Sequence, residues 1–346
     1  MALSALLLVF MGRSSQDSSN HTIRILIDRY PDRQSADATY RKIAPLIDEE
    51  HYQAIEDRPH DTFTLVPADS TRPTLVFSII RDEITRSLLF AKGDADVLYD
   101  SLSLSRIGWL KRTYPSVRIF EKEDLTFSYL GYNFRNPILA KLEVRQAIAM
   151  SLPIHEWIHQ KFFDWVVPFS PALPEDAHES EKLLDQAGYP RGKDGIRFSL
   201  RYFTTPVREG HELGSLVGEA LKKLGIDLRL TTVETSLYYA NLLHHEFDLI
   251  SARWIRFDEN ELAAPHFETN GKFNYFGYSN PELDQKMHQE KSNFQSIYPA
   301  ILKELPIYPL FNWKHGAILN ARIQTPENFE SKLDETFRFL AYLRLK

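Results

Sequence analysis

Cysteine is absent from all 346 residues. Its absence excludes disulfides, thiolate nucleophiles, iron–sulfur clusters and cysteine-type zinc sites together, and it leaves the redox compartment open. An excess of positive charge is also missing: 41 Lys and Arg stand against 47 Asp and Glu, a net charge of −6. No overall positive field draws such a chain to nucleic acid. There is no Gly-x-x-x-x-Gly-Lys, no Gly-x-Gly-x-x-Gly and no Gly-x-Ser-x-Gly, so phosphate-loop and serine-hydrolase chemistry have no support. No stretch approaches the ~20 apolar residues that span a bilayer. What the chain does have is aromatic side chains, at 12% with 22 Phe, 16 Tyr and 5 Trp. They suit a large core or an aromatic-lined cleft. The length implies about two compact lobes.

The first residues, Ala2–Phe10, are apolar except for Ser4, and a polar run follows from Arg13 to Asn20. This is the length of a signal-peptide apolar region, although no Lys or Arg precedes it and no Cys follows Gly12. Residues 1–20 therefore read as a degenerate export signal and tether. They imply a periplasmic or other extracytoplasmic location, with association to a membrane surface through the N-terminal segment.

Residues 22–28 alternate Ile23, Ile25 and Ile27 as a strand does. A short helix is expected over 40–47, a loop over 57–61 and a buried strand over 74–80. A helix over 82–92 stops at Gly93, a strand covers 95–99 and a helix 105–113. Strands follow at 117–120 and 125–134. Further on, a strand at 196–203 precedes Leu213, Leu216, Val217, Ala220, Leu221 and Leu224 at helical spacing, with Gly225 just beyond. A strand at 226–233, a helix capped by Ser236, and a strand at 247–252 complete a βαβαβ unit with a parallel sheet. Residues 168–175 read as an irregular surface segment.

His155-Glu156-Trp157-Ile158-His159 matches His-Glu-x-x-His, which on a zinc hydrolase helix places two imidazoles and a general base on one face. Pro153 places the motif at a helix start rather than mid-helix, and no third ligand motif stands out downstream. The reading is a surface helix, with no metal and no cofactor.

Several segments, in order, resemble one family. Residues 79–96 (IIRDEITRSLLFAKGDAD), 129–150 (YLGYNFRNPILAKLEVRQAIAM) and 181–195 (EKLLDQAGYPRGKDG) carry the resemblance. So do the helix and strand over 216–233, residues 275–284 (YFGYSNPELD), and Pro306–Leu310 (PIYPL). They are similar to the extracellular solute-binding family of ABC importers that carries peptides, nickel and related solutes. The opening resembles the family's first strand, with Pro31, Asp32 and Asp37 in place. After Ile47 a hairpin and an extra subdomain of the family are missing, because only residues 48–73 precede the strand at Thr74.

The resemblance implies an α/β fold, two-lobed and periplasmic-binding-protein-like, with a reduced first lobe. Lobe one is expected over 21–130 plus 315–346 and lobe two over 131–314. It implies a non-enzymatic, monomeric, extracytoplasmic binder of a peptide or similar small solute. The partners would be the membrane subunits of an ABC importer, and nucleic acid is not among them. A ligand-sensing module of a regulator is the other role the family suggests; it would need a helix-turn-helix, for which residues 1–20 are too short. The resemblance places the ligand at the turn after the strand that ends in Trp254. Asp258 is nearest to the Asp that meets a peptide's ammonium group in the family's peptide binders, while Arg253 and Arg256 suit an anionic group. Trp254, and Tyr132 and Asn133 of the segment at 129–134, are expected beside them.

Overall fold

A computed structural model describes residues 21–28, 43, 46, 51–58, 61–99, 102–206, 208–254, 263–290, 294–333 and 337–346. The signal-like segment 1–20 and most of the helix expected over 40–47 lie outside them; Ile43 and Leu46 are helical and buried. The chain divides into two compact units, one of Met1–Lys122 with Lys314–Lys346 and one of Glu123–Trp313. The sequence placed the first boundary at residue 130. It falls earlier because the two strands expected at 117–120 and 125–134 are one uninterrupted strand, Arg118–Tyr132, in which the chain passes from the first unit to the second.

The first unit contains β1 (Thr22–Ile27), β2 (Tyr52–Arg58), β3 (Thr62–Pro67), β4 (Thr74–Ile79), α1 (Glu83–Lys92), β5 (Val97–Tyr99) and α2 (Leu104–Thr113). β1 lies between β4 and β5 and is parallel to both. The buried period-two residues of β1, Ile23, Ile25 and Ile27, join Leu65, Leu75, Phe77, Val97, Phe337 and Phe339 in one core. α1 forms where capping predicts. The Asp82 carboxylate accepts from the Thr85 backbone N–H at 2.7 Å and from its hydroxyl at 2.6 Å, and Gly93 ends the helix at φ 85°, a conformation glycine adopts without Cβ strain. The loop expected over 57–61, and the absence of a hairpin after Ile47, are corrections. Asp57 and Arg58 belong to β2, which pairs antiparallel with β3 from Tyr52 opposite Pro67 to Arg58 opposite Thr62. Periodicity missed the strand because its apolar residues are few and Ile55 points outward, 45% exposed.

One ion pair holds this unit inside its sheet. Asp96 is fully buried. Its carboxylate accepts from Arg322 Nη2 at 2.5 Å and from Arg322 Nε, and also from the backbone N–H of Arg24 at 2.8 Å. The Arg322 guanidinium reaches on to the Thr22 carbonyl at 3.3 Å. The pair thus ties β1, the residue before β5 and the C-terminal segment together.

The second unit begins within the strand Arg118–Tyr132 (β6). It continues with α3 (Leu142–Met150), α4 (Ile154–Gln160), β7 (Val166–Pro168), α5 (Ala177–Gln186), β8 (Phe198–Thr204), α6 (Arg208–Lys223), β9 (Ile226–Thr232), α7 (Thr235–Leu243) and β10 (Leu249–Trp254). The remaining elements are α8 (Ala264–Phe267), α9 (Pro281–Glu290), α10 (Phe294–Glu304) and β11 (Ile307–Leu319), the last of which carries the chain back to the first unit. The expected βαβαβ unit is present: β8 is parallel to both β9 and β10. Residues 127–132 of β6 close its other side antiparallel to β10. α6 buries Leu213, Leu216, Val217, Ala220 and Leu221, the stripe read from its spacing. Its end at Gly225 has φ 78°. α7 is capped by Glu234 rather than Ser236, the Glu234 carboxylate accepting from the Ser236 N–H at 2.8 Å. Glu234 keeps extended backbone dihedrals while Ser236 is already helical, so Glu234 stands at the N-cap and its carboxylate meets an N–H of the first turn.

Gly131 in β6 is a position of close approach. A Cβ there would sit 2.2 Å from Phe276 Cε1, and the Phe276 carbonyl accepts from the Phe134 N–H at 2.8 Å, which pins the backbone carrying that ring. Gly131→Ala is expected to cost ~1–3 kcal/mol by overpacking, measured by urea unfolding. Phe276→Leu in the same chain should recover part of that loss. Equal stability of Gly131→Ala and the parent would remove the close approach.

Candidate functional site

The sites read from the sequence separate in the structure. Arg256 and Asp258 lie outside the described residues. Tyr132 is fully buried, and its hydroxyl donates to the Arg145 carbonyl at 3.4 Å. Asn133 is buried, and its amide donates to the carbonyls of His245 at 2.9 Å and Phe247 at 2.6 Å. Its Oδ1 accepts from the Arg135 N–H at 3.0 Å. Both residues hold the end of β6 against the start of β10, and their polar atoms are turned to the protein backbone. Trp254 is also a core residue. Its indole stacks with Phe127 at 6.0 Å and 20° and with Phe267 at 5.8 Å and 12°, and it packs on His266 and Phe294. The reason is strand alternation: Ile250 and Trp254 face the core, while Ser251 and Arg253 point to the opposite face of the sheet.

Arg253 does reach a cavity. On that opposite face the second unit holds a depression of about 260 Å³. Its floor is polar, from Ser128 of β6, Thr204 and Thr205 at the end of β8, and Ser251 of β10. Its walls are aromatic, from Phe162, Tyr238, Tyr239, Phe311 and Trp313. Gly210 and Leu213 bring the first two turns of α6 to its edge. The position follows the general rule for open α/β sheets, in which ligands meet the C-terminal ends of parallel strands; β8 and β10 both end here. The volume lies below the roughly 300–1,000 Å³ of a site that encloses a whole small molecule.

The walls are fixed by specific bonds. The Trp313 indole N–H donates to Ser128 Oγ at 2.9 Å. The Arg253 guanidinium carbon lies 3.6 Å from the centre of the Trp313 ring, and Phe311 meets the same ring edge-on at 5.7 Å. Tyr238 donates to the Ser251 carbonyl at 3.3 Å. Burial, then the neighbouring phenols of Tyr129, Tyr202 and Tyr239, push its hydroxyl well above the ordinary tyrosine value, so it stays a neutral donor. Of the described residues expected at the site from the sequence, Arg253 lines this cavity; its other lining residues were not singled out as site residues. The available signal was positional: Thr204 and Thr205 follow the strand that opens the βαβαβ unit, in the place equivalent to the turn after β10.

The residues that carry the family resemblance serve the scaffold. Arg145 is buried and donates to the carbonyls of Leu139 at 2.7 Å, Ala140 at 2.9 Å and Glu304 at 2.6 Å. The Glu304 carboxylate accepts from the Tyr278 hydroxyl at 2.8 Å and from the Asn280 amide at 2.6 Å. Asp248 receives the Arg201 N–H at 2.7 Å and the Asn136 amide at 2.9 Å. Burial alone pushes its carboxyl upward, but the bonds from Arg201 and Asn136 outweigh that and hold it below the ordinary carboxylate range. In the His-Glu-x-x-His segment, Trp157 and Ile158 face inward while both histidines are exposed. His155 Nδ1 lies 2.7 Å from Glu175 and His159 Nδ1 2.5 Å from Asp164, so each imidazole has a separate carboxylate. Among the described residues no three His, Asp or Glu gather as metal ligands. No described helix is long and apolar enough to cross a membrane.

Comparison with known proteins agrees with this architecture. Residues 71–271 match the bacterial extracellular solute-binding proteins, family 5, middle region, and the chain belongs to that family. It is 24% identical over 257 residues to the oligopeptide-binding protein AppA of Bacillus subtilis, covering 63% of this chain and 46% of that protein. It is 22% identical to the periplasmic murein peptide-binding protein MppA of Escherichia coli, covering 71% and 50%. The chain thus spans about half the length of these curated relatives. Among solved structures, the putative peptide-binding protein AppA of Clostridium difficile superposes with a TM-score of 0.72 at 18% identity, over 86% of this chain and 67% of that one. The fold is that of the two-lobed periplasmic binding proteins.

Proposed function

We propose that the chain is the extracytoplasmic solute-binding component of an ABC importer and that it takes a peptide or peptide-like solute. It acts as a monomer, its partners are the importer's membrane subunits, and no reaction is assigned to it. The observation that carries this reading is the cavity at the ends of β8 and β10, with its polar floor and fixed aromatic walls, in a chain of a solute-binding family. Relatives named for oligopeptide and murein peptide binding support the solute class. The arrangement suits binding: aromatic faces supply contact area, and a few hydroxyls and one cation fix orientation.

The test is calorimetric titration of the purified chain with peptides of two to five residues that include acidic, basic and aromatic members, alongside mass spectrometry of solutes that co-purify with the natively isolated protein. Saturable one-to-one binding, lost when Tyr238 and Trp313 are both changed to Ala, is the expected result. Absence of binding across the panel together with no co-purified solute would remove the reading.

A further inference from the structure

We infer that the cavity of the second unit takes a phenolic side chain of the solute, that of a tyrosine residue, with its ring between the aromatic walls and its hydroxyl at Ser251. This rests on the reading that the cavity receives the solute, and it adds which side chain enters.

Size and wall chemistry select an aromatic ring. An apolar cavity of about 150 Å³ is enough to hold benzene, and a whole small-molecule ligand needs roughly 300–1,000 Å³. At about 260 Å³ this cavity has room for one ring and a substituent. Three of the wall rings already pack on one another, Phe162 with Phe311 at 4.7 Å, Phe311 with Trp313 at 5.7 Å and Phe162 with Trp313 at 6.2 Å, all tilted or edge-on. A further ring extends such an array in the same geometry. Phe311 and Trp313 are paired with β7, and the Trp313 indole is bonded to Ser128. Walls fixed in this way have little freedom to lose when a ligand arrives.

A hydroxyl beneath the floor selects a polar tip on that ring. Tyr202 of β8 is fully buried, and its Oη has no hydrogen-bond partner among the described residues. Tyr202 stands opposite Leu249 in the parallel pair of β8 and β10. Tyr202, Thr204, Leu249 and Ser251 therefore share one face of the sheet, and Thr204 and Ser251 line the cavity. The Tyr202 ring is held under α6, where a Cβ on Gly214 would sit 2.7 Å from Tyr202 Cε1. Burial pushes the Tyr202 hydroxyl well above the ordinary tyrosine value, with Ser251 acting in the other direction, so the group is a neutral donor beside Ser251.

Ser251 is where this donor can be used. A serine hydroxyl has one proton to give and two lone pairs. It can accept from Tyr202 and still donate into the cavity. A ligand hydroxyl at Ser251 completes that chain, and a phenol brings one on the ring that the walls accommodate. A ring without the oxygen leaves the buried donor unmatched, which is how a buried hydroxyl discriminates between close analogues.

The experiment is calorimetric titration of the intact chain with Ala-Tyr-Ala, Ala-Phe-Ala and Ala-Leu-Ala. Ala-Tyr-Ala is expected to bind about 3- to 10-fold more tightly than Ala-Phe-Ala, the range of one net hydrogen bond, and Ala-Leu-Ala most weakly. In Tyr202→Phe and in Ser251→Ala the ratio of the first two affinities should fall to within about twofold of unity. Tyr202→Phe should also melt at or above the parent temperature, because its ring stays under Gly214 and the oxygen removed has no partner. A lower melting temperature would show that this hydroxyl is engaged within the fold and would overturn the inference. Equal or tighter binding of Ala-Phe-Ala or Ala-Leu-Ala by the parent, or a tyrosine preference that survives in either variant, would overturn the phenolic subsite and leave solute binding intact. Failure of all three tripeptides while other peptides of the panel bind would do the same. Failure of the three together with the whole panel would remove both the subsite and the solute-binding reading.

Discussion

Arg322→Ala is expected to cost the first unit ~3–5 kcal/mol, the usual consequence of leaving a buried charge without its partner. Asp96 has no solvent-exposed surface, so its carboxylate cannot turn to water when Arg322 is removed. The Arg322 side chain, by contrast, is 34% exposed. Asp96→Asn should therefore cost less, ~1–3 kcal/mol, since the freed guanidinium can hydrate and the Asn carbonyl still accepts from the Arg24 N–H. The order of the two variants is the informative part. A two-unit chain need not unfold in one step, so the measurement is hydrogen exchange at the amides of β1 and β5. These should lose protection in Arg322→Ala while those of β8 and β9 keep it. Exchange in β1 unchanged from the parent would show that the pair is dispensable.

The second large effect is at Trp254. Its indole is in contact with Phe127, Phe267, Phe294 and His266, and Trp254→Ala removes an aromatic side chain from a close-packed cluster. A buried Trp→Ala change costs ~3–5 kcal/mol. For a unit of this size that lowers the melting temperature by roughly 6–20 °C. Trp254→Phe, which keeps a ring in the stack, should lose less than half as much. A Trp254 that served only to contact solute would behave otherwise: truncation would reduce affinity and leave the melting temperature in place. Thermal unfolding followed by circular dichroism, with peptide titration of the same variants, separates the two roles.

These expectations show why the family was legible in the sequence and its site was not. Several residues of the motifs that carry the resemblance have a local task. Asp82 caps its own helix through Thr85, three residues on. Asn280 caps α9 by accepting from the N–H groups of Glu282 and Leu283. Gly93 and Gly225 supply left-handed backbone where helices end. Such patterns are compact in sequence because the atoms involved are neighbours along the chain. Tyr132 and Asn133 differ from these, because Asn133 bonds to the carbonyls of His245 and Phe247, far along the chain. They stand out in the sequence, and they bond to the backbone of their own unit.

The cavity has no comparable signature. Ser128, Thr204, Tyr238, Arg253 and Trp313 come from five separate segments and meet only because β6, β10 and β8 are adjacent in the sheet. Pairing register decides which of them share a face: Arg253 stands opposite Ser128, and a shift of one residue would have turned Trp254 to the cavity and Arg253 to the core. The sequence by itself determined the family, the α/β class, the βαβαβ unit and the helix ends, since each follows from short-range periodicity and capping. Only the tertiary structure decided that β6 is one continuous strand, that residues 52–67 form a hairpin, that Trp254 is core, and that Arg253 lies on Trp313. Those outcomes depend on contacts between residues far apart in the chain, whose side-chain directions are set by strand order and register rather than by local composition.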